Sequence, residues 1–436
     1  MRLSAPPFSA DSGWQYLIVL CAIAVPSLAL VVPGGANIGY FALAAAVFAT
    51  CFASGRDAQR MAAPAGGIDL PAILPVSLAL PSVAVLWTQL AHWDFDGQPM
   101  DAPSRFLLAV PLLYCLQRLP PSRLRRLRHV QWGLCAGAIG AALVLWVAPL
   151  DGSMRHVPKF ASAITFGNLG LVMGLGAMLT LGWRLTRSFL EPLLKVVAVL
   201  AGFYASLLSG TRGGWVALPV LLILFLLLSR LRGAYKLLLC VLAVAILSGV
   251  YLTDKNVQMR IHTASAEYAA AVQAHGEEKS ALAASDTSVG LRLSFWRAGY
   301  AMFLAHPFAG VGSQHIQEVY EDRAAHGLMP QDAGHFDHLH NDYLQSLAAN
   351  GLPGLLARLM AYLVPLYLFV RAIRSAEPQR VTAGWVGALV VVSYMVFGLT
   401  ETMFSITMNA SFYTGLVLIF SVLALPARPG TTGWQA

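Results

Sequence analysis

The stretch FASAITFGNLGLVMGLGAMLTLGW, residues 160–183, decides the class of fold. No charged side chain interrupts it, and it is longer than the roughly 20 residues that a helix needs to cross the hydrocarbon core of a bilayer. Residues 14–32 form a second long run without a charge. Runs of this kind predict helices that span a membrane.

The composition of the whole chain supports the same class. Of its 436 residues, 57% are hydrophobic and only 11% are charged, too few to cover the surface of a soluble protein. The net charge of +8 comes from basic residues in short connections between apolar runs, which is typical of membrane orientation signals. We therefore expect a membrane protein with membrane lipids around it and no nucleic-acid partner.

The pattern of apolar stretches predicts an all-α, polytopic transmembrane bundle of about twelve helices. Nine stretches fall within residues 1–252 and three within 353–436, with the long polar segment 253–352 between them. The stretches run near 14–32, 36–54, 70–91, 106–117, 130–149, 160–183, 190–208, 214–229, 237–252, 353–370, 383–400 and 409–426.

Alternate connections between these stretches differ sharply in basic content. Five connections contain arginines, and the connections between them are poor in Lys and Arg. By the positive-inside rule, both termini and the basic connections lie in the cytoplasm, so residues 209–213 and 253–352 share the outer compartment. The basic residues are Arg56, Arg60, Arg118, Arg123, Arg125, Arg126, Arg128, Arg184, Arg187, Arg230, Arg232, Lys236, Arg371, Arg374 and Arg380.

Two arginine-bearing elements fall on the outer side. In Ser209-Gly-Thr-Arg-Gly-Gly-Trp215 the glycines permit a tight turn, and Arg212 offers a planar fork of donors suited to a pyrophosphate. Residues 290–303 predict an amphipathic helix along the interface, with Arg292 one turn from Trp296 and with Arg297 beside them. Either element suits a ligand phosphate or the headgroups of lipids, and the residues alone leave both interpretations open.

The densest polar cluster is Gly334-His-Phe-Asp-His-Leu-His-Asn-Asp342. Imidazoles and carboxylates suit a zinc ion, although no HExxH arrangement is present. The other interpretation is acid/base chemistry: a helix that begins near Asn341 would place its positive end beside the histidines and keep a ring neutral. Asp337 or Asp342 would then orient the ring. That helix is expected to end at Asn350-Gly351, with Pro353 opening the next span.

At this point the chain resembles the O-antigen ligase and polymerase superfamily. The ligase signature has His-Asn, nine residues, then Gly-x-x-Gly, and His340-Asn341 precedes Gly351-Leu-Pro-Gly354 at that spacing. The Arg212 turn, Arg292 with Trp296, and His306-Pro-x-x-Gly-x-Gly312 match further family elements. Glu401 in Leu-Thr-Glu-Thr is similar to the family's late-span motif.

The resemblance implies an inverting, metal-independent glycosyltransferase of the GT-C type that needs no cofactor. Family ligases transfer polysaccharide from undecaprenyl pyrophosphate to a sugar hydroxyl of the lipid A core, at the periplasmic face of the bacterial inner membrane. The expected catalytic residues are His340 and His338. Arg212, Arg292 and Arg297 are expected to bind the donor pyrophosphate, supported by Asp337, Asn341, Asp342 and Trp296.

Three alternatives compete with an O-antigen ligase. Within the superfamily, an O-antigen polymerase or a protein O-oligosaccharyltransferase would use the same donor with another acceptor. A transporter of lipid-linked glycans is a rival of a different class, but transporters place ionisable groups near the middle of the bilayer. In the predicted spans such groups are scarce, and the exceptions, Glu191 and Arg358, fall near span ends.

Overall fold

The computed structural model describes residues 10–57, 68–147, 157–211, 213–253 and 288–427, with scattered positions between 255 and 269. This part of the chain is almost entirely helical and contains no β-strand, only an isolated bridge between Ile68 and Ala427. The helices are α1 (Ala10–Leu28), α2 (Gly35–Asp57), α3 (Ile73–His92), α4 (Pro103–Leu116), α5 (Pro121–Leu124), α6 (Val130–Val147), α7 (Ala163–Leu179), α8 (Leu190–Leu208), α9 (Ala217–Leu228), α10 (Gly233–Thr253), α11 (Ser288–Ala305), α12 (Ile316–Ala325), α13 (Asp342–Ile373), α14 (Pro378–Phe397) and α15 (Thr407–Ala424).

The predicted membrane class is confirmed. Among the described residues, eight helices are long and apolar enough to cross a membrane, and four shorter apolar helices accompany them. Each of the twelve predicted stretches overlaps one of these helices. The protein is therefore an all-α polytopic membrane protein. Within the long polar segment, α11 and α12 supply the expected additional helices.

The innermost helix is α15, of which 94% is buried by its neighbours. Small residues let other helices approach closely where they cross, as in many membrane bundles. Between α7 and α8, for example, a Cβ added to Gly202 would lie 2.5 Å from the carbonyl oxygen of Gly170. This crossing fixes the position of the turn that follows α8.

The arginine-rich connections gather at one end of the bundle, named here the basic end. Arg230 donates a hydrogen bond to the carbonyl of Arg374 at 3.2 Å, and Arg380 donates to the carbonyl of Ala424 at 2.8 Å. Helices α13 and α15 begin, and α14 ends, at the other end, which contains the histidine motif and is named the histidine end. The described basic connections at 229–232 and 374–377 therefore lie at the end opposite to the histidine motif.

Helix α13 begins eleven residues before the predicted span at 353, because its first turns belong to the histidine motif. Its backbone leaves helical geometry at Gly351, with φ 63° and ψ −161°. The expected interruption at Asn350-Gly351 is thus confirmed, although the helical segments on either side continue as one kinked element.

Candidate active site at the histidine end

Asn341 fixes the start of α13. Its side-chain oxygen accepts hydrogen bonds from the backbone N–H groups of Tyr343 and Leu344 at 3.1 and 3.0 Å, which satisfies two donors that a helix N-terminus leaves free. Its amide nitrogen donates to the carbonyl of Leu399 at 3.2 Å. The predicted helix start at Asn341 is confirmed, and it is tied to the chain that follows α14.

His338 and His340 lie side by side just before this cap. Their ring centroids are 4.3 Å apart and the rings are inclined by 70°. Oε1 of Glu401 lies 3.4 Å from Nδ1 of His340 and 3.8 Å from Nε2 of His338. On the other side, Nδ1 of His338 lies 2.7 Å from Oδ1 of Asp337. Two imidazoles therefore sit between two carboxylates.

Helix α11 packs against the segment that bears the histidines. Nε1 of Trp296 donates a hydrogen bond to the carbonyl of Leu339 at 3.1 Å, between the two histidines in sequence. The rings of Phe295 and Phe336 lie 6.0 and 5.9 Å from the ring of His340. Trp296 thus contacts the histidine segment through its backbone, and the supporting role in the reaction stays a prediction. His340 has a φ of 48°, an uncommon value for a residue with a Cβ, and these contacts help to hold it there.

The electrostatics of the cluster favour charged groups. Burial raises the pKa of Glu401, but its interactions with His340, the amide of Thr402 and His338 outweigh burial and leave that pKa below its ordinary value. Burial lowers the pKa of His338, whereas the hydrogen bond to Asp337 and the charges of Glu401 and Asp337 raise it, so that the net pKa is above its ordinary value. For His338 the carboxylates therefore oppose the helix-dipole effect that the sequence suggested.

The same residues could bind a metal ion. One nitrogen of His338, one nitrogen of His340 and one oxygen of Glu401 all lie within 4.8 Å of one another. Two histidines and a glutamate are the ligands of several catalytic zinc sites. The donor set thus fits zinc, and metal independence stays a prediction that a chelator can test.

Asp342, predicted to orient an imidazole, faces the interior of the bundle instead. Its carboxylate accepts hydrogen bonds from the Tyr362 hydroxyl at 2.7 Å and the Phe404 amide at 3.3 Å, and Nε of Arg358 lies 3.6 Å away. As the first residue of α13, Asp342 points away from the loop that precedes the helix. Of the two predicted carboxylates, only Asp337 contacts a histidine. Glu401 contacts both rings, yet from the sequence it had only a motif resemblance and no role.

Of the three predicted arginines, the structure describes Arg292 and Arg297. Arg212 falls outside the described residues, but a Cβ added to its neighbour Gly213 would lie 3.2 Å from Oγ1 of Thr400. The turn that contains Arg212 is therefore held beside the segment that carries Glu401. Arg292 and Arg297 lie on α11, the helix that contacts the histidine segment through Trp296, and both are partly buried.

Backbone hydrogen bonds join the turn at 306–312 to the kink in α13. The amides of Val311 and Gly312 donate to the carbonyls of Ala348 and Ala349, each at 2.9 Å, and the amide of Leu352 donates to Pro307 at 2.8 Å. At Gly351 a Cβ would lie only 2.6 Å from the carbonyl oxygen of Pro307. Glycine is required there both by its positive φ and by this close approach.

A cavity of about 500 Å³ opens beside His338. Its walls come from the middle of α3, the start of α4 and α13, and from the segments 98–102, 313–317 and 402–407. Asp337 and His338 lie on one wall, while Gln345, Asn350 and Arg358 lie along α13. The sequence analysis missed this cavity. The feature of the sequence that could have indicated the cavity is Arg358, a charged residue in an apolar span. The sequence analysis places Arg358 near a span end instead.

Comparison with known proteins identifies this region. Residues 196–359 match the family model described as O-antigen ligase. This stretch of the chain is similar to the O-antigen ligase family. The matched stretch includes the Arg212 turn, α11, the histidine pair and the kink at Gly351, so the match supports the resemblance to the O-antigen ligase and polymerase superfamily. Glu401 lies beyond the matched residues.

The chain is also similar to a curated bacterial protein. A Haemophilus influenzae protein described as uncharacterized is 24% identical over 333 residues, which cover 75% of this chain and 80% of that protein. The likeness extends over most of both chains and carries no statement of activity.

Proposed function

We propose that the protein is an O-antigen ligase. It transfers polysaccharide from undecaprenyl pyrophosphate to a sugar hydroxyl of the lipid A core, as an inverting glycosyltransferase of the GT-C type, and so completes lipopolysaccharide. The observation that carries this proposal is the pair of imidazoles held between Glu401 and Asp337 beside a polar cavity, within the stretch that is similar to the O-antigen ligase family. Family members are membrane glycosyltransferase-like enzymes, so this chemistry suits the matched stretch.

His340 is the general base in this proposal. Its Nδ1 faces Glu401, which leaves Nε2 to accept the proton of the acceptor hydroxyl. The hydroxyl oxygen forms a bond to the anomeric carbon of the donor sugar. The bond from that carbon to the pyrophosphate breaks on the opposite face, and its electron pair leaves with the lipid pyrophosphate. Glu401 stabilises the imidazolium that results, and His338 faces the incoming acceptor from the cavity wall.

The leaving group requires cations, because a pyrophosphate gains negative charge as the bond breaks. Arg212, Arg292 and Arg297 are assigned to this role. Support comes from the neighbours of Arg212, which lie beside the Glu401 segment, and from α11, which packs on the histidine segment. Arginine suits the task because its planar fork binds two phosphate oxygens together.

The orientation follows from the two ends of the bundle. The basic end is placed in the cytoplasm by the positive-inside rule. The histidine end, with residues 253–352, then faces the periplasm from the inner membrane. In this arrangement residues 1–252 supply nine spans and 353–436 supply three, and the lipid-linked donor reaches the site from the surrounding membrane.

The test is transfer in vitro with purified protein, lipid-linked O-antigen, and either rough lipopolysaccharide or no acceptor. Product on lipopolysaccharide in the presence of EDTA supports a metal-independent ligase, whereas loss of activity with EDTA assigns the two histidines and Glu401 to a metal. Chain growth without lipopolysaccharide identifies a polymerase, transfer only to protein identifies an oligosaccharyltransferase, and no new linkage leaves a transporter.

Single variants assign the base. His340→Ala is expected to abolish transfer, and His338→Ala to reduce it while donor binding is retained. If His338→Ala alone abolishes transfer, the roles of the two rings are exchanged. Full activity of both variants would show that neither ring is the base.

A further inference from the structure

The cavity beside His338 contains a cation that the proposed mechanism does not use. Arg358 lies on α13 beyond the kink, and its side chain is only 12% exposed. A buried arginine within a membrane-spanning helix is costly to insert, so its presence indicates a binding function or a structural partner. Its contacts separate these two possibilities.

The Nε edge of the Arg358 guanidinium is occupied by partners within the bundle. Nε donates a hydrogen bond to Oγ of Ser346 at 2.9 Å and lies 3.6 Å from the carboxylate of Asp342. The ring of Phe404 lies against the guanidinium, 4.5 Å from Cζ. Nη1 is buried and makes no hydrogen bond among the described residues. The contacts with Ser346 and Asp342 therefore satisfy Nε, but the buried donor Nη1 stays unsatisfied.

The carboxylates near the cavity already have other partners. Asp101 accepts hydrogen bonds from Arg105, and Asp337 is paired with His338. Asp342 accepts hydrogen bonds from the Tyr362 hydroxyl and the Phe404 amide, in addition to its contact with Arg358. The side chain of Arg358 also lines the cavity, together with the amide side chains of Gln345 and Asn350.

The cavity and the arginine-bearing helix α11 touch different members of the histidine pair. Among the described residues that line the cavity, His338 is present and none belongs to α11, whereas Phe295 of α11 lies against His340. An inverting transferase must hold the acceptor hydroxyl on the face of the anomeric carbon opposite to the leaving pyrophosphate, so donor and acceptor need separate sites. With the donor assigned to the arginines of α11 and the 209–213 turn, the cavity is left for the acceptor.

We propose that this cavity is the acceptor site and that Arg358 binds an anionic group, a phosphate or a carboxylate, on the acceptor saccharide. The amides of Gln345 and Asn350 supply hydrogen bonds to neighbouring sugar hydroxyls. This inference rests on the proposed transferase function. It selects acidic saccharides as acceptors, because a neutral acceptor would leave the cation of the cavity wall without an anionic ligand.

The test compares acceptors with the purified full-length protein. Transfer is measured to rough lipopolysaccharide, to the same material after removal of its phosphates, and to material whose carboxyl groups have been reduced to alcohols. With the wild type, loss of the recognised anion is expected to raise KM for the acceptor about 10- to 100-fold, the range for one charge-assisted hydrogen bond to a buried group. The arm that shows this rise identifies phosphate or carboxylate as the ligand.

Variants connect this preference to Arg358. Arg358→Gln is expected to raise KM for the intact acceptor to that of the anion-free acceptor and to leave KM for the lipid-linked donor unchanged. Arg358→Lys is expected to keep part of the preference because it keeps the charge. Arg380→Gln, a matched change at the basic end, is expected to keep all of it. A purely structural role would lower kcat for all acceptors alike and leave their ratio unchanged.

The acceptor comparison also decides the matter without a variant, since Arg358→Gln leaves Asp342 buried without its cation and can impair folding. Wild-type transfer that is indifferent to both phosphate and carboxyl removal overturns the acceptor assignment and leaves the proposed ligase function intact. So does an Arg358→Gln enzyme that keeps the preference or changes only the donor KM. Absence of wild-type transfer to any acceptor would overturn the ligase proposal itself.

Discussion

The negative charge of Glu401 should increase the rate of glycan transfer by a large factor, and Glu401→Gln tests this directly. The substitution keeps the shape of the side chain and removes its negative charge. If the base becomes an imidazolium during transfer, Glu401 attracts that positive charge from 3.4 Å at Nδ1 of His340. Coulomb's law gives about 1.2 kcal/mol for unit charges at this distance in water and about 4.9 kcal/mol at an effective dielectric constant near 20.

The expected loss lies between these limits. Glu401 is 5% exposed, but the ring of His340 is 18% exposed, so water screens part of the attraction. A loss of about 2–3 kcal/mol corresponds to a fall in kcat/KM of about 30- to 150-fold. The measurement is transfer of lipid-linked O-antigen to lipopolysaccharide across a range of pH.

The pH profile of the same variant gives an independent readout. The negative charge of Glu401 raises the pKa of His338, whereas burial lowers it. In the wild type the neutral form of this ring is lost as pH falls through a raised pKa. Glu401→Gln removes one source of the raised pKa, so an acidic limb set by His338, as it would be with the roles of the two rings exchanged, should move to lower pH.

Glu377→Gln is the matched control. Glu377 also lies 3.4 Å from a cation, Nη1 of Arg380, but it is 41% exposed and belongs to the basic end. An exposed pair of this kind contributes little. Wild-type activity is expected for the control. Activity of Glu401→Gln within about threefold of the wild type, with an unmoved acidic limb, would refute the electrostatic role of Glu401.

Three further changes test other parts of the site. Arg212→Ala should raise KM for the lipid-linked donor more than Arg212→Lys does, and equal wild-type kinetics for both would refute a pyrophosphate role. Gly351→Ala should lower the free energy of unfolding by about 1–3 kcal/mol, because Gly351 has a positive φ. The measurement is thermal unfolding, and the control is Gly249→Ala, where an added Cβ has no neighbour within 4 Å. Trp296→Phe removes a hydrogen bond worth about 0.5–1.5 kcal/mol, so kcat should fall by up to about tenfold; an equal fall in the exposed control Trp146→Phe would contradict this.

Local signals in the sequence were sufficient to predict the membrane spans and the start of α13. Apolar length alone marks a helix that crosses a bilayer, and Asn341 caps a helix through contacts within three residues. Contacts between residues far apart in the sequence could not be predicted from such signals. Glu401 reaches the histidines only because α14 returns the chain to the end where α13 begins, a result of packing rather than of spacing.

Two errors of interpretation have one physical origin. Asp342 was one of two candidates to orient a histidine, and Arg358 was expected near a span end, because the span was predicted to begin at 353. The helix begins at Asp342 instead, so the Asp342 carboxylate turns into the bundle and meets Arg358 through the first turns of the same helix. A pair of charged residues that reads as two unrelated positions in the sequence is thus one buried contact.

The contacts that position the histidines also stabilise the bundle, so stability and activity share one segment. The Asn341 side chain joins the first turn of α13 to Leu399, two residues before Glu401, and the amide of Asp342 donates to Gly398 at 2.7 Å. These bonds set the distance between Glu401 and both rings. They also explain how His340 keeps a positive φ without a glycine: the cap fixes the chain after it, and Trp296 fixes the chain before it. Strain at this residue is therefore offset by contacts on both sides, which is typical of a backbone that serves a reaction.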